Sequence, residues 1–293
     1  MEVIASTRQQ AASKRIRLRK AGGRFVLWVF LTAVLIFTLF PIVMALLGSF
    51  KTNAELNTGA TFLPLHWNFS NYIKAWKEAN FAVFTWNSLY MSFFSTVGTV
   101  VIASMAAYAV DRREFACKRL FLGLQAGTMF VAMGAIMLRP QFDVMVALHL
   151  NRSIWAVIIL NISAHAFAFF ILLGFMKGIP RDMDEAAKLD GAGFGYIYAR
   201  IIMPLLLPGL GVTSLFAFRN AWNEYIMPLV FTMTQPKLQV LTVGLANLKY
   251  SPDGAQQSNL MLAGACLSMI PILIVYLLAN KSFTQVNTGG IKG

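Results

Sequence analysis

A polar stretch separates two long apolar segments of this chain: Pro180-Arg-Asp-Met-Asp-Glu-Ala-Ala-Lys-Leu-Asp-Gly-Ala-Gly-Phe-Gly-Tyr-Ile-Tyr-Ala-Arg-Ile-Ile-Met-Pro-Leu-Leu-Leu-Pro208. Pro180 fits the first turn of a helix, where its missing N–H is not needed. Three acidic side chains follow closely and favour the positive N-terminal end of that helix: Asp182, Asp184 and Glu185. The stretch therefore predicts a short helix outside the bilayer, between two membrane-spanning segments.

Small residues decide where this helix ends and what could lie against it. Gly191 can adopt the left-handed conformation that ends a helix. A second short helix is predicted from Gly193 to Met203, ending before Pro204. Ala186 and Ala187 have small side chains, which let another protein approach the backbone closely. We therefore expect a compact loop that offers a contact surface.

The composition places the chain in a membrane. It has 293 residues, of which 57% are hydrophobic and only 13% charged, with a mean hydropathy of +0.62. A soluble domain usually carries about 25% charge. Because a hydrocarbon core needs about 20 apolar residues per helix, we predict an all-α, polytopic membrane helix bundle with six transmembrane helices. Their predicted ranges are 25–48, 84–110, 118–138, 153–176, 204–227 and 259–280.

The positive charges predict the orientation of this bundle. Seventeen of the 25 Lys and Arg residues lie in the N-terminal segment, the second and fourth loops and the C-terminal tail, whereas seven lie in the other loops. Since positive residues favour the cytoplasmic side, both termini and the loop 180–203 are expected in the cytoplasm. The net charge of +13 could also indicate nucleic-acid binding, but its position beside membrane segments favours topology. The expected domains are a basic segment 1–24, a transmembrane domain 25–283 and a tail 284–293.

The polar stretch resembles the EAA loop of ABC importer permeases. Glu185-Ala186-Ala187, Gly191, Ile201 and Pro204 stand at the spacing of that family. The one departure is Met203 in place of Leu, which is an apolar swap of similar volume. An ordinary cytoplasmic loop that matches by chance is the alternative. The resemblance implies that this loop, 180–203, docks into a groove on a separate ATPase subunit.

Two further stretches resemble the carbohydrate-importing branch of these permeases. One is Ala221-Trp222-Asn223-Glu224, and the other is the ending Gly289-Gly290-Ile-Lys292-Gly293. The resemblance implies that Gly289, Gly290 and Lys292 reach between the ATPase subunits, with a disordered terminus as the alternative.

The resemblance also implies the partners and the cellular location. The protein would lie in the bacterial cytoplasmic (inner) membrane with a second homologous permease, two ATPase subunits and an extracytoplasmic solute-binding protein. ATP and magnesium would bind the ATPase subunits, since this sequence has no phosphate-binding loop and no enzymatic activity is expected of it. The residues implied to contact the ATPase are Met183, Glu185, Ala186, Ala187, Leu189, Asp190, Gly191 and Pro204.

Ionisable groups inside a membrane span are costly and indicate function. Arg219 and Asn223 share a helix face, whereas Glu224 is poorly placed to pair with Arg219. Arg219 is therefore expected to face either the substrate pathway or a structural ion partner. His165 and Asn161 share a face of the fourth span, where hydrogen-bonded packing is the alternative role. The candidate substrate-pathway residues are Arg219, Asn220, Asn223, Glu224, His165, Asn161 and Arg139, and none of them has the spacing of a metal site.

The polar residues lead to a hypothesis about the substrate. Asn, His, Trp and Tyr suit a sugar, and Arg suits a carboxylate because it can donate two parallel hydrogen bonds. The hypothesis is an acidic oligosaccharide such as alginate, with a neutral sugar as the alternative. An ion-coupled secondary transporter is less favoured, because it should have paired acids near the middle of the membrane. The loop 225–258 is expected to be long and polar, and the resemblance implies that it reaches the substrate cavity or the binding protein.

Overall fold

The computed structural model describes residues 2–59, 61–130, 134–249 and 256–284, and their side chains within 23–59, 61–129, 136–249 and 256–277. Regular structure in these residues is helical. The helices are α1 (Glu2–Ser49), α2 (Asn53–Thr58), α3 (Ser70–Glu78), α4 (Phe81–Arg112), α5 (Lys118–Phe130), α6 (Leu138–Ala147), α7 (Ile154–Ser163), α8 (Ala166–Lys177), α9 (Asp182–Leu189), α10 (Phe194–Ile197), α11 (Met203–Leu205), α12 (Leu207–Trp222), α13 (Ile226–Thr232), α14 (Leu241–Asn247) and α15 (Ser258–Thr284). Two 3-10 turns, Gly134–Met137 and Pro236–Leu238, and one π-helical turn, Tyr198–Ile202, complete them.

Within the described residues, three unbroken helical stretches are long and apolar enough to cross a membrane: Gly23–Ser49, Phe81–Arg112 and Ser258–Leu277. They correspond to the first, second and sixth predicted spans. The third predicted span, 118–138, begins with the thirteen residues of α5, but it then passes through residues outside the described part of the chain. The fold is therefore a helical membrane bundle, and the third span stays a prediction. The tail residues Gly289, Gly290 and Lys292 also lie outside the described residues.

The fourth predicted span is broken rather than continuous. Helices α7 and α8 meet at an angle of 45° around Ala164 and His165. Nδ1 of His165 lies 3.2 Å from the carbonyl oxygen of Ile162, which is the oxygen that the N–H of Ala166 would reach in an unbroken helix. A side chain inserted into the helical hydrogen-bond ladder is a known cause of a kink. The expectation of a single continuous helix over 153–176 was therefore wrong, whereas the membrane span itself stays a prediction.

The prediction that the helix after Gly193 ends before Pro204 was also wrong. The chain continues through the π-helical turn, where the N–H of Met203 donates to the carbonyl oxygen of Tyr198, and through α11 to Leu205. Pro204 has no N–H to donate, and the wider turn before it accommodates that loss. The direction then changes by 80° at Leu206, between α11 and α12. The predicted fifth span, 204–227, therefore includes this bend and α12, and its crossing of the membrane stays a prediction.

Helix α4 lies at the centre of the bundle and contacts α7, α8 and α12. Around its C-terminal half, buried side chains form one apolar cluster, which we call the α9-end cluster: Ala103, Ala107, Tyr108, Val110, Ala168, Phe169, Leu172, Leu173, Met176, Ala187, Ile197, Ile202 and Leu206. This cluster fixes α9 and the bend at Leu206 against the spans. Two other clusters lie around the N-terminal half of α4.

The segment after α12 is not the long polar loop that the sequence predicted. It forms α13, the 3-10 turn Pro236–Leu238 and α14. Phe231, Val240, Leu241 and Val243 are buried. They pack with residues of α3, α4 and α7, and Leu241 N–H donates to Ser88 Oγ at 2.8 Å. This part of the chain therefore closes one end of the bundle, opposite α9.

Candidate coupling face and substrate cavity

Helix α9 has two faces with different surroundings. Asp184 and Ala187 point inward and are buried. Six residues of α9 are exposed, and four of them belong to the set predicted to contact the ATPase: Met183, Glu185, Ala186 and Leu189. We call these four residues the coupling face. Leu189 is 90% exposed and Met183 is 40% exposed, so two large apolar side chains of the coupling face lie on the surface.

The turn after α9 has the geometry that the sequence predicted. Gly191 has a φ of +83°, in the left-handed region that favours glycine. Its N–H donates to the carbonyl oxygen of Lys188 at 3.0 Å, and the N–H of Ala192 donates to that of Ala187 at 2.9 Å. A shallow surface depression of about 450 Å³ lies beside this turn and includes Asp190. Pro204 is exposed.

Ala187 does not belong to the coupling face. It is 8% exposed and packs in the α9-end cluster. In this structure it holds α9 on the bundle. The contact with another chain stays a prediction for the exposed members of the set, which are the coupling face together with Asp190, Gly191 and Pro204.

A cavity of about 420 Å³ lies between α4, α7, α8 and α12. It is lined by Ser95, Thr99, Asn161, Ala164, Phe167, Ala168, Thr213, Phe216, Ala217, Arg219, Asn220, Ala221, Asn223 and Glu224. Five of the seven predicted pathway residues are brought together here: Asn161, Arg219, Asn220, Asn223 and Glu224. The cavity thus combines one cation, one carboxylate, amides, hydroxyls and two aromatic rings.

Hydrogen bonds position several of these groups. Asn223 Nδ2 donates to the carbonyl oxygen of Arg219 at 3.0 Å, which ends α12. Glu224 Oε1 accepts from the N–H of Met227 at 3.3 Å. Asn161 Nδ2 lies 3.4 Å from Ser95 Oγ and so bridges α7 and α4. These side chains are therefore held by the fold before any ligand is bound.

The guanidinium of Arg219 has no carboxylate within ion-pair distance among the described side chains, and the poor placement of Glu224 for pairing agrees with the sequence prediction. Arg219 is exposed and lines the cavity. Its charge is therefore open to a ligand or to a second chain.

The sequence matches a known family over most of its length. The profile of binding-protein-dependent transport system inner membrane components covers residues 73–283. The chain belongs to this permease family. This confirms the resemblance drawn from the EAA-like loop, and it places the permease among inner-membrane components.

Several characterised permeases are similar over nearly the whole chain. The arabinooligosaccharides transport system permease protein AraQ of Bacillus subtilis (strain 168) is 31% identical over 92% of this chain and 96% of its own. The trehalose transport system permease protein SugB of Mycobacterium tuberculosis (strain CDC 1551 / Oshkosh) is 31% identical, over 92% of this chain and 98% of its own.

A crystal structure has the same fold. It is that of a bacterial ABC transporter involved in the import of the acidic polysaccharide alginate, with a TM-score of 0.74 and 24% identity. The match covers 88% of this permease and 95% of that chain.

Two predicted pathway residues of the permease lie outside the cavity lining. Arg139 is 85% exposed on α6, and its Nε lies 3.0 Å from Asp143 Oδ2. Its charge is paired within its own helix, which the sequence spacing of four residues could have indicated. His165 contacts Gln125 Nε2 at 3.5 Å and the Ile162 carbonyl. The packing role that was its alternative agrees with these contacts.

Sequence reasoning missed three hydroxyls and two aromatic rings that line the cavity. The hydroxyls belong to Ser95, Thr99 and Thr213, and the rings to Phe167 and Phe216, whose centroids are 5.5 Å apart. A signal for the α4 residues existed, because Ser88, Ser92, Ser95 and Thr99 recur at intervals of three and four residues and so share one helix face.

Proposed function

We propose that this permease is one of two transmembrane subunits of an ATP-driven importer that carries a sugar or oligosaccharide across the bacterial cytoplasmic membrane. In this proposal it crosses the membrane six times with both termini in the cytoplasm. A second homologous permease completes the pathway, and an extracytoplasmic binding protein delivers the substrate. ATP and magnesium bind two separate ATPase subunits. Closure of these two subunits on each other rocks the spans between outward-open and inward-open states.

The observation that carries this proposal is the arrangement of two surfaces in one bundle. The coupling face lies at the end of α4 that carries Arg112, and the polar cavity lies around its middle, at Ser95 and Thr99. An importer that is driven by a separate ATPase needs a surface that binds the ATPase and a pathway for the substrate. Similar permeases that serve arabinooligosaccharides and trehalose support a carbohydrate as the cargo.

The cavity chemistry supports an acidic sugar such as alginate as the substrate. Arg219 is exposed in the cavity without a carboxylate partner among the described side chains, and a guanidinium can hold a carboxylate by two hydrogen bonds. The amides and hydroxyls would bind sugar hydroxyls, and the rings of Phe167 and Phe216 would contact the sugar face. Glu224 in the same cavity favours the second candidate, a neutral oligosaccharide, because it would repel an acid.

The test is transport by the reconstituted complex. The permease is purified with its co-expressed partner chains, placed in proteoliposomes and offered uronate oligomers, arabinooligosaccharides and trehalose, with and without ATP. ATP-dependent uptake of uronate oligomers that Arg219→Ala abolishes and Arg219→Lys partly keeps would support the acidic substrate.

Uptake of only the neutral sugars, unchanged by Arg219→Ala, would replace the acidic substrate with the neutral one. Uptake driven by an ion gradient in the absence of any ATPase would refute the importer itself.

A further inference from the structure

The inference concerns how motion at α9 reaches the cavity, and it rests on the proposed function. Of the elements that line the cavity, α7 and α8 are broken by 45°, and α12 is separated from α10 and α11 by a bend of 80°. Helix α4 runs unbroken from the cavity residues Ser95 and Thr99 to Arg112, and α8 runs unbroken from Phe167 to Lys177. Thr99 and Arg112 are thirteen residues apart, or about 20 Å along the axis at ~1.5 Å per residue.

Buried charges attach the end of α4 to α9. Arg112 Nε lies 3.0 Å from Asp184 Oδ2, and Arg112 Nη1 lies 2.7 Å from Asp111 Oδ2. The side chains of Arg112 and Asp184 are 6% and 5% exposed. The Nε–Oδ2 contact is an ion pair whose angle is not that of a hydrogen bond. It therefore depends on charge and on the separation of the two helices.

Three further contacts surround this ion pair. Arg112 Nη2 donates to the carbonyl oxygen of Ile179 at 3.0 Å, and Arg181 Nη2 donates to that of Asp111 at 2.8 Å. The hydroxyl of Tyr108 lies 3.4 Å from Asp184 Oδ1. The residues on both sides of the α9 N-terminus are thus joined to the last turn of α4.

The same helix α9 is free on its other side. Asp184 faces α4, while the coupling face of Met183, Glu185, Ala186 and Leu189 is exposed. A buried ion pair is a poor source of stability, because desolvation of both charges offsets their attraction. It does, however, fix geometry, since both charges keep their partner only in one arrangement.

We propose that Arg112, Asp184 and Tyr108 are positioning residues that make α4 a rigid link between the coupling face and the substrate cavity. A force on the coupling face displaces Asp184, and Arg112 transmits that displacement along α4 to Ser95 and Thr99. Among the described side chains, α4 is the cavity helix that is joined to α9 by a buried ion pair.

The test measures cavity accessibility in the assembled complex and needs no known substrate. Ala217 lines the cavity, so Ala217→Cys is introduced with Cys117→Ser and Cys266→Ser, and its labelling by a membrane-impermeant maleimide is timed with and without ATP and vanadate. In otherwise unaltered protein, nucleotide is expected to change the labelling rate by about tenfold.

Asp184→Asn, Tyr108→Phe and Arg112→Lys are expected to reduce the nucleotide effect severalfold, while the ATPase still co-purifies and hydrolyses ATP. Glu114→Gln is the matched control, because Glu114 pairs with Lys118 near the same end of α4 but is 83% exposed. In this control, nucleotide is expected to change the labelling rate as much as it does in the otherwise unaltered protein.

A full nucleotide effect in both Tyr108→Phe and Arg112→Lys would overturn the inference, including where Asp184→Asn fails to assemble. Failure of any ATPase to co-purify with the unaltered chain would instead refute the proposed function, and the inference with it.

Discussion

The hydroxyl of Thr242 donates a hydrogen bond of 2.7 Å to the carbonyl oxygen of Glu224. This bond connects the start of α14 to Glu224, which lies two residues after the end of α12 at the rim of the cavity. Replacing Thr242 with Val keeps the shape of the side chain and removes the hydroxyl donor. The loss of this hydrogen bond should destabilise the rim of the cavity by about 1 kcal/mol. We expect Thr242→Val to weaken substrate uptake by about fivefold, measured as the KM of transport in proteoliposomes. Thr128→Val removes a similar bond on α5, to the Gln125 carbonyl, and should leave KM unchanged.

The aromatic pair in the cavity should contribute to sugar affinity. Phe216 contacts Phe167 edge to face and lines the cavity, where its ring could cover a sugar face. Phe216→Ala is expected to raise the KM for the transported sugar about tenfold, or ~1.4 kcal/mol. Phe93→Ala, an exposed ring of α4 outside the cavity, serves as the control. Equal KM values for both variants would show that Phe216 does not contribute to binding of the transported sugar.

The coupling face should depend on apolar contact at Leu189. A charge there would have to be buried in the ATPase groove without a partner, so Leu189→Asp is expected to weaken association with the ATPase by at least about tenfold. Co-purification and titration of detergent-solubilised permease with the ATPase measure this. Leu65→Asp places the same charge on another exposed leucine and should not affect association. Unchanged binding of Leu189→Asp would argue against the coupling face.

Close packing at the start of α12 predicts an overpacked variant. A Cβ atom at Gly209 would lie 2.7 Å from Cγ and 3.1 Å from Cβ of Phe175, whereas Gly174 has nothing within 4 Å of the same position. Gly209→Ala is therefore expected to destabilise the protein by about 1–3 kcal/mol, and Gly174→Ala to leave stability equal or higher. Thermal unfolding in detergent would show the difference as a lower Tm for Gly209→Ala only.

The carboxylate of Glu55 predicts a pH dependence of stability. Burial raises its pKa, but hydrogen bonds from the Leu65 N–H at 2.8 Å and Thr61 Oγ1 at 2.9 Å, together with the charge of Lys51, hold the pKa below its ordinary value. Its stabilising contribution is therefore full above the ordinary carboxyl pKa and is lost as the pH falls through the lower pKa of the folded protein. Glu55→Gln should have a lower Tm than the unaltered protein at neutral pH, and the difference should disappear at an acidic pH below the lowered pKa of Glu55. A Tm difference that is the same at both pH values would contradict this.

The sequence predicted the parts of the structure that local chemistry determines. The length of the apolar segments predicted the positions of α4 and α15. The acidic residues after Pro180, together with Gly191, predicted α9 and its end. The five polar residues of the cavity were found because charged and amide groups in a span are costly.

The structural features that the sequence did not predict depend on contacts between residues that are distant in the sequence or on local geometry that no sequence pattern marks. The break at Ala164 carries neither Pro nor Gly and arises from the position of the His165 ring. Pro204 was taken as the end of a helix, because the π-helical turn that tolerates it leaves no mark in the sequence. Ser95 and Phe216 line the same cavity only because α4 and α12 pack together.

The unbroken course of α4 restricts which insertions and deletions this helix can accept during evolution. One residue inserted between Thr99 and Arg112 would turn the cavity hydroxyls by about 100° relative to the buried guanidinium and push them about 1.5 Å away. An insertion of seven residues would nearly restore the phase, within ~20°, but would lengthen the helix by two turns. Side chains along this stretch are free to vary where they face lipid, whereas the number of residues is not.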